Sequence, residues 1–291
     1  MTTKKSAEKK LVSIKKSPKS LGKPMKGRDI LVKALVNEGV KVIFGYPGGA
    51  SMEIHQGLTL APKIRMVLPR HEQGGSFAAG GYARATGEVG VCLATSGPGA
   101  TNLITGIIDA KMDSIPIVAI TGQVPSTVLG SDAFQETDIM GATFPLVKHS
   151  YMIQNVAEIP RIIHEAFHIA RTGRPGPVLV DVPKNIQQQE GIADFDVSFD
   201  VPSYRPNLKP SILQCKKAAH TIQTAKRPII YAGGGIISSG ASAELRAFVK
   251  KTGIPITTTV MGLGAYPSTD PLSLRMLGMH GAVYANIAMN H

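Results

Sequence analysis

The chain has 291 residues, 43% of them hydrophobic and 18% charged, enough apolar material for one large or two ordinary domains and too much for a disordered chain. Its net charge of +12 is mostly local, since residues 1–26 hold nine Lys and one Glu with no Arg and no aromatic side chain; that stretch reads as a solvated, disordered arm and not as a nucleic-acid-binding motif. No apolar run is long enough to span a bilayer, no secretory or Arg-rich leader is evident, and Cys92 and Cys215 make no disulfide framework, so a cytoplasmic protein without nucleic-acid or membrane partners is expected.

From Gly27 the apolar periodicity is regular. Ile30, Leu31, Ala34 and Leu35 fall on one helical face, and Gly39 marks the stop. Lys41–Tyr46 reads as a strand, Pro47-Gly48-Gly49 as a turn, and Ser51–Leu58 as a helix. Ile64–Leu68 is a second strand, and a helix opening at Glu72 follows. Val89–Thr95 is a third strand, succeeded by a helix from about Gly99 to Ala110. Ile115–Thr121 is continuously apolar, as in a parallel sheet buried on both faces. A long loop, Gly122 to Asp138, departs from the short connections of such units, and loops of that length tend to be functional. Val147–Ile153 looks extended, Ile159–Arg171 is an amphipathic helix, and Val178–Val182 is a strand. The βαβ succession predicts an α/β fold with a doubly wound parallel sheet over 27–185.

Residues 186–210 are rich in Gln, Asp and Pro and read as a linker. A second, incomplete α/β unit is expected over 211–291. It has helices at Ile212–Ala225 and Ala243–Thr252, strands at Pro228–Ala232 and Ile256–Thr259, and glycine-rich turns at Gly233-Gly234-Gly235, Met261–Gly264 and Gly278-Met279-His280-Gly281.

Three successive strand ends carry the chemistry. The first is Gly48-Gly49-Ala50. The second is Glu72, which opens a segment made largely of Gly, Ala and Ser. The third is Ser96-Gly97-Pro98-Gly99 with Asn102. A helix so rich in glycine is unfavourable in solvent and makes sense where its backbone presses on another body. In an open α/β sheet, ligands bind beyond the carboxyl ends of the strands. Each motif alone also suits a plain turn or a first-turn charge. The eight histidines show no metal-ligand spacing, and His164 and His168, four apart, read as a helix surface.

Together these motifs resemble the pyrimidine-binding domain of the thiamine-diphosphate enzymes, and among those the large catalytic subunits of acetolactate (acetohydroxyacid) synthases. The resemblance runs from about Gly27 to the last residue. It implies thiamine diphosphate as cofactor. A carboxyl group hydrogen-bonded to the pyrimidine nitrogen drives the tautomer that removes the reactive proton, which calls for one Glu in a dry pocket. The resemblance gives that role to Glu72, with Gly48, Gly49, Ser96 and Asn102 beside the cofactor and Gly49 and Gln135 in catalysis. It places Phe134 in the active site and Ala50, Pro125, Ala133 and Lys184 along the substrate channel, with Asn185 where the family often has Asp. The Ala-Phe-Gln-Glu run, and the absence of any His-His pair, separate the chain from plain keto-acid decarboxylases.

The resemblance further implies FAD, held by Arg174, Gly233, Gly234, Gly235, Met279, His280 and Gly281; the guanidinium fork suits a diphosphate. It implies Mg2+ as well, with ligands in a C-terminal domain whose Gly-Asp-Gly motif does not occur here. The implied reaction decarboxylates pyruvate and joins the remainder to a second pyruvate or to 2-oxobutanoate, in branched-chain amino-acid synthesis. The implied assembly is a homodimer or higher oligomer through the pyrimidine-binding domain, with a small regulatory subunit as a further partner. The isolated chain is therefore expected not to turn over pyruvate. A pyruvate oxidase-like relative, or a non-catalytic FAD- or subunit-binding fragment, stands as the alternative.

Overall fold

The computed structural model describes residues 22–196, 201 and 203–291. Most of the Lys-rich arm therefore lies outside the described residues. Its last two residues do not belong to an arm: Met25–Lys26 forms a short strand, β1. Gly27–Asn37 (α1) follows and buries Ile30, Leu31, Ala34 and Leu35 as the periodicity predicts. Val42–Gly45 (β2), Met52–Thr59 (α2) and Arg65–Val67 (β3) come next. Glu72–Thr86 (α3) ends at Gly87, whose left-handed φ of 74° caps the helix. Gly90–Ala94 (β4) is buried along its whole length.

The single helix expected after β4 is two helices, Pro98–Asn102 (α4) and Ile104–Asp113 (α5). At the junction Leu103 N–H bonds the carbonyl of Ala100, three residues back, which tightens the turn and interrupts the helical ladder. Ile117–Gln123 (β5) runs two residues further than predicted, into the start of the loop. Ile139–Thr143 (α6) was not anticipated; Asp138 caps it by accepting from Gly141 N–H at 2.8 Å. His149–Met152 (β6), Ile159–Arg171 (α7) and Val178–Pro183 (β7) match the expected elements.

The expected linker begins too early. Lys184–Gln188 (α8) buries Ile186 and Gln187, and Glu190–Gly191 (β8) pairs antiparallel with β1. Glutamine-rich composition reads as solvated, and Gln188 and Gln189 are exposed, yet Ile186 and Gln187 turn inward onto the first unit.

Six strands form one parallel sheet in the order β3-β2-β4-β5-β7-β6. Its two faces differ. Val91, Leu93, Val118, Ile120, Val178 and Val180 meet the large apolar side chains of α1, α2 and α7. Cys92, Ala94, Ile117, Ala119 and Leu179 meet Ala79 and Ala83 of α3 and Ile107 and Ala110 of α5. The second face is thus built largely from small residues, and the helix over it approaches closely. A Cβ built at Gly90 would lie 2.1 Å from the Ala79 carbonyl oxygen, and one at Gly106 would lie 2.2 Å from Ser76 Oγ.

The second unit begins at Ile212–Thr224 (α9), none of whose residues is buried. Ile230–Ala232 (β9), Gly235–Ser238 (α10), Ser242–Thr252 (α11), Ile256–Thr258 (β10), Ser273–Met276 (β11) and Val283–Asn290 (α12) follow. The sequence reading found two strands here; the sheet has three, parallel, in the order β11-β10-β9. The missed strand is irregular: Arg275 has φ of 59°, and the register shifts along β10, so no clean alternation marks it. The core is small, with Ala232, Leu245, Val249, Ile256, Ala265 and Tyr266 at its centre.

The close approach of α3 gives a direct test. Gly90→Ala forces a methyl against a backbone oxygen and is expected to destabilise the first unit by about 1–3 kcal/mol, read as a lower midpoint in urea unfolding.

Candidate active site

β2 lies between β3 and β4, so the chain leaves β2 outward to β3 and crosses back to β4. The crevice beyond the carboxyl ends of β2 and β4 is the topological switch point of the sheet, where ligands of open α/β folds bind. Three of the predicted motifs converge on it. Glu72 is the first residue of α3, behind His71, whose extended backbone and Nδ1 cap the helix by accepting from Gln73 N–H at 3.2 Å. Glu72 Oε2 accepts from Asn102 Nδ2 at 3.0 Å. Its Oε1 makes no hydrogen bond among the described residues. A Cβ at Gly99 would approach that oxygen to 3.4 Å, so glycine there leaves it room. Glu72 is half-buried and not sealed in a dry pocket, because Gln73, Gly74 and Phe77, on the adjoining surface of α3, are themselves not buried.

A residue that sequence reasoning did not single out holds the two glycine turns together. Thr95, at the end of β4, accepts from Ala50 N–H through Oγ1 at 3.0 Å. Its methyl carbon would be 2.4 Å from a Cβ at Gly48 and 2.7 Å from one at Gly99. Both turns can close on Thr95 only as glycines. Gly49, between Gly48 and Ala50, is exposed, with nothing within 4 Å of the place a Cβ would take. Ser96 and Ala50 are buried. The Ala50 carbonyl accepts from Gln187 Nε2 at 2.7 Å, which ties this turn to α8.

The long loop brings further predicted residues to the same end of the sheet. A Cβ at Gly97, itself at φ 58°, would lie 2.7 Å from the Gln135 carbonyl oxygen, so the loop tip rests on the turn after β4. Gln135 takes a left-handed φ of 57°. Glu136 shapes this tip by accepting from Gly130 N–H and, at 2.9 Å, from Ala133 N–H. Those backbone donors hold its carboxyl below the usual carboxylate range. Phe134 is 88% exposed. Near the loop's start, Ser126 N–H donates to Asn185 Oδ1 at 2.8 Å and Asn185 Nδ2 donates to Ser126 Oγ at 2.9 Å. That pair brings Pro125 close to Lys184, which is half-buried at the first position of α8.

Under the loop lies a buried polar group the sequence reading passed over. Asp181 on β7 is fully buried, accepting from Thr121 Oγ1 at 2.6 Å and from Gln123 Nε2 at 2.9 Å. Burial pushes its carboxyl up to about 7, against the pull of those two donors. The signal was legible: an Asp inside the run Val178–Val182 interrupts an otherwise apolar strand.

The residues expected at a flavin divide. In the second unit the turns Gly233–Gly235, Met261–Gly264 and Gly278–Gly281 follow β9, β10 and β11, so they line one edge of the small sheet. Thr259 N–H bonds the Ala232 carbonyl at 3.0 Å, holding the first two turns side by side. Gly235 is open, and Met279 and His280 are exposed. Arg174 is elsewhere. It precedes β7, at the opposite end of the sheet from Glu72, and its guanidinium donates to Ser114 Oγ at 2.7 Å and to the Met112 carbonyl at 3.4 Å. Among the described residues, no group of three or more His, Cys, Asp or Glu could hold a metal ion, and no helix is long and apolar enough to cross a membrane.

Residues 25–142 match the N-terminal TPP binding domain of thiamine pyrophosphate enzymes, and residues 215–291 match their central domain. The chain is 57% identical over 270 residues to acetolactate synthase 3, chloroplastic, of Brassica napus, covering 92% of this chain and 41% of that protein. It is 58% identical over 269 residues to acetolactate synthase 2, chloroplastic, of Nicotiana tabacum (92% and 40%). It is 56% identical over 270 residues to acetolactate synthase, chloroplastic, of Arabidopsis thaliana (92% and 40%). The chain spans about two-fifths of the length of these relatives.

Asp181 makes the pH dependence of stability testable. Its folded value is raised above the ordinary 3.8, so its contribution is present in full below that value and is lost as pH rises through about 7. Asp181→Asn is expected to flatten the fall in melting temperature between those two values relative to the unsubstituted chain, as read by thermal unfolding across a pH series.

Proposed function

Because the chain belongs to the thiamine pyrophosphate enzymes, carrying their N-terminal and central domains, we propose that it serves as the N-terminal part of an acetolactate synthase catalytic subunit. In this reading the whole enzyme decarboxylates pyruvate and joins the remainder to a second pyruvate or to 2-oxobutanoate, at the entry to branched-chain amino-acid synthesis. Thiamine diphosphate, when bound, supplies the electron sink and the nucleophilic carbon for that chemistry.

The observation that carries the reading is the Glu72 carboxylate at the switch point. One of its oxygens is fixed by Asn102 and the other makes no hydrogen bond among the described residues. A pyrimidine nitrogen needs such an acceptor, held in one orientation, to carry its proton. The residues present fit the cofactor: Gly99 leaves space beside Oε1, and Gly49 offers open backbone across the crevice. Asn102 orients the carboxylate, and Ser96 lines the wall. Gln135, able to donate and to accept, is proposed to hold the keto-acid carboxylate, with Phe134 as apolar cover once the site is assembled. Lys184 at the channel mouth draws in anionic substrate past Pro125, Ala133 and Ala50.

FAD is proposed at the three turns of the small sheet, with Arg174 as a contact once it leaves Ser114. Mg2+ and the diphosphate are proposed to be held outside the elements described here. A homodimer through the first unit, and a small regulatory subunit, belong to the same proposal. For the compartment, the cytoplasm is the expectation stated above and the relatives' names say chloroplastic; cell fractionation separates the two.

Glu72→Gln keeps the size of the side chain and removes its charge. In the assembled enzyme it is expected to lower acetolactate formation from pyruvate by about a hundredfold or more, with thiamine diphosphate binding still measurable by calorimetry. Full activity in that variant would remove Glu72 from catalysis and overturn the reading.

A further inference from the structure

The loop that carries Pro125, Ala133, Phe134 and Gln135 has one 3-10 turn, Ser126–Val128, as its regular structure. Its two ends meet at a single side chain. Gln123, the last residue of β5, is 2% exposed. Its Oε1 accepts from Val124 N–H at 2.9 Å, at the start of the loop. Its Nε2 donates to the Thr137 carbonyl at 3.0 Å, at the far end, and to Asp181 Oδ2 at 2.9 Å. Both amide hydrogens are therefore engaged, and the orientation of the amide is set by Asp181. Asp181 is itself fixed from the other side by the Thr121 hydroxyl at 2.6 Å.

We propose that Gln123 is a positioning residue for the substrate site: it clamps both ends of the loop, with Asp181 orienting its amide, and so sets where Gln135 stands over the Gly97 turn. The proposal rests on the reading of Gln135 as the keto-acid contact. The division of labour within the loop favours it. Glu136 bonds only to backbone within the tip, so it shapes the tip without fixing its place on the sheet. Ser126 and Asn185 anchor one side only. Gln123 is the side chain that joins the first loop residue to the last stretch before α6. Releasing it frees the far end of the loop from β5 and takes its partner from the N–H of Val124, a buried residue, whereas the Thr137 carbonyl keeps the Ile139 N–H at 2.8 Å.

Three variants test this. Gln123→Met keeps the length of the side chain and removes all three hydrogen bonds. Gln123→Glu keeps an acceptor for Val124 N–H but sets a carboxylate against Asp181 and the Thr137 carbonyl. Asp181→Asn can keep its oxygen toward Gln123 while its nitrogen donates to Thr121. Hydrogen–deuterium exchange on the full chain reads the loop directly. In Gln123→Met, protection over 124–137 is expected to fall by about tenfold or more while the amides of β4 keep theirs. Gln123→Glu should lose protection chiefly at the Thr137 end, and Asp181→Asn should keep it. In the assembled enzyme Gln123→Met should raise KM for pyruvate by about tenfold, with a smaller change in kcat and unchanged affinity for thiamine diphosphate. Loop protection that survives Gln123→Met would overturn the clamp. So would an equal loss over β4, because the role would then be general stability. Lost loop protection with an unmoved KM would leave the clamp standing and overturn Gln135 as the substrate contact.

Discussion

The first unit depends on one close approach, the seating of a small-residue helix on a small-residue face of a parallel sheet. Ala79 and Ala83 of α3 lie against Cys92 and Ala94 of β4, and Gly90 admits the Ala79 carbonyl where any side chain would collide with it. The opposite face of the same strands carries Val91 and Leu93 and packs against bulky side chains of α1 and α7. This asymmetry sets the height of α3 over the sheet, and with it the position of Glu72 at the helix start. A larger residue along that seam would lift the helix and draw the carboxylate away from Asn102. The helix is intrinsically poor, being rich in glycine, so its stability comes from this packing and not from propensity.

At the carboxyl ends of the strands a second kind of constraint takes over. Buried polar groups are costly unless paired, and pairing makes them directional. Thr95, Gln123, Asp181 and Gln187 are all buried, and each bonds to a turn, a loop end or a neighbouring strand. Together they tie the Gly48 turn, the loop and α8 to the rigid sheet. Loops that carry function are normally mobile, and here a few buried polar side chains restrain long backbone segments that have no ladder of their own, although Gln187 Oε1 has no hydrogen-bond partner among the described residues. The same burial that makes these contacts directional raises the Asp181 carboxyl to about 7, so the network carries a titratable group at its centre.

The second unit repeats the arrangement on a smaller scale. Three parallel strands end in three glycine-rich turns along one edge, above a core of few residues. Its first helix, α9, buries nothing, and Ile212 and Leu213 are exposed. Within these turns the Gly262, Gly278 and Gly281 N–H groups are engaged locally, while Gly235, Met279 and His280 face solvent. The Arg174 guanidinium is engaged by Ser114 and Met112 in the first unit.

What the sequence alone determined was the α/β class, the order of elements in the first unit, and the three strand-end motifs. These are local: periodicity marks α1 and α7, a continuous apolar run marks β5, and glycine marks the turns. The thiamine-enzyme likeness came from those same short motifs. Tertiary structure decided what depends on contacts between distant segments. The Asn102–Glu72 bond joins residues 30 apart, and the Thr121–Asp181 bond joins residues 60 apart; no periodicity encodes either. Polar residues such as Gln123 and Gln187 read as solvated until the fold buries them, and β11 is irregular enough to leave no pattern. A residue's partner across the sheet is fixed by strand order, and strand order is a property of the whole chain's packing rather than of any stretch within it.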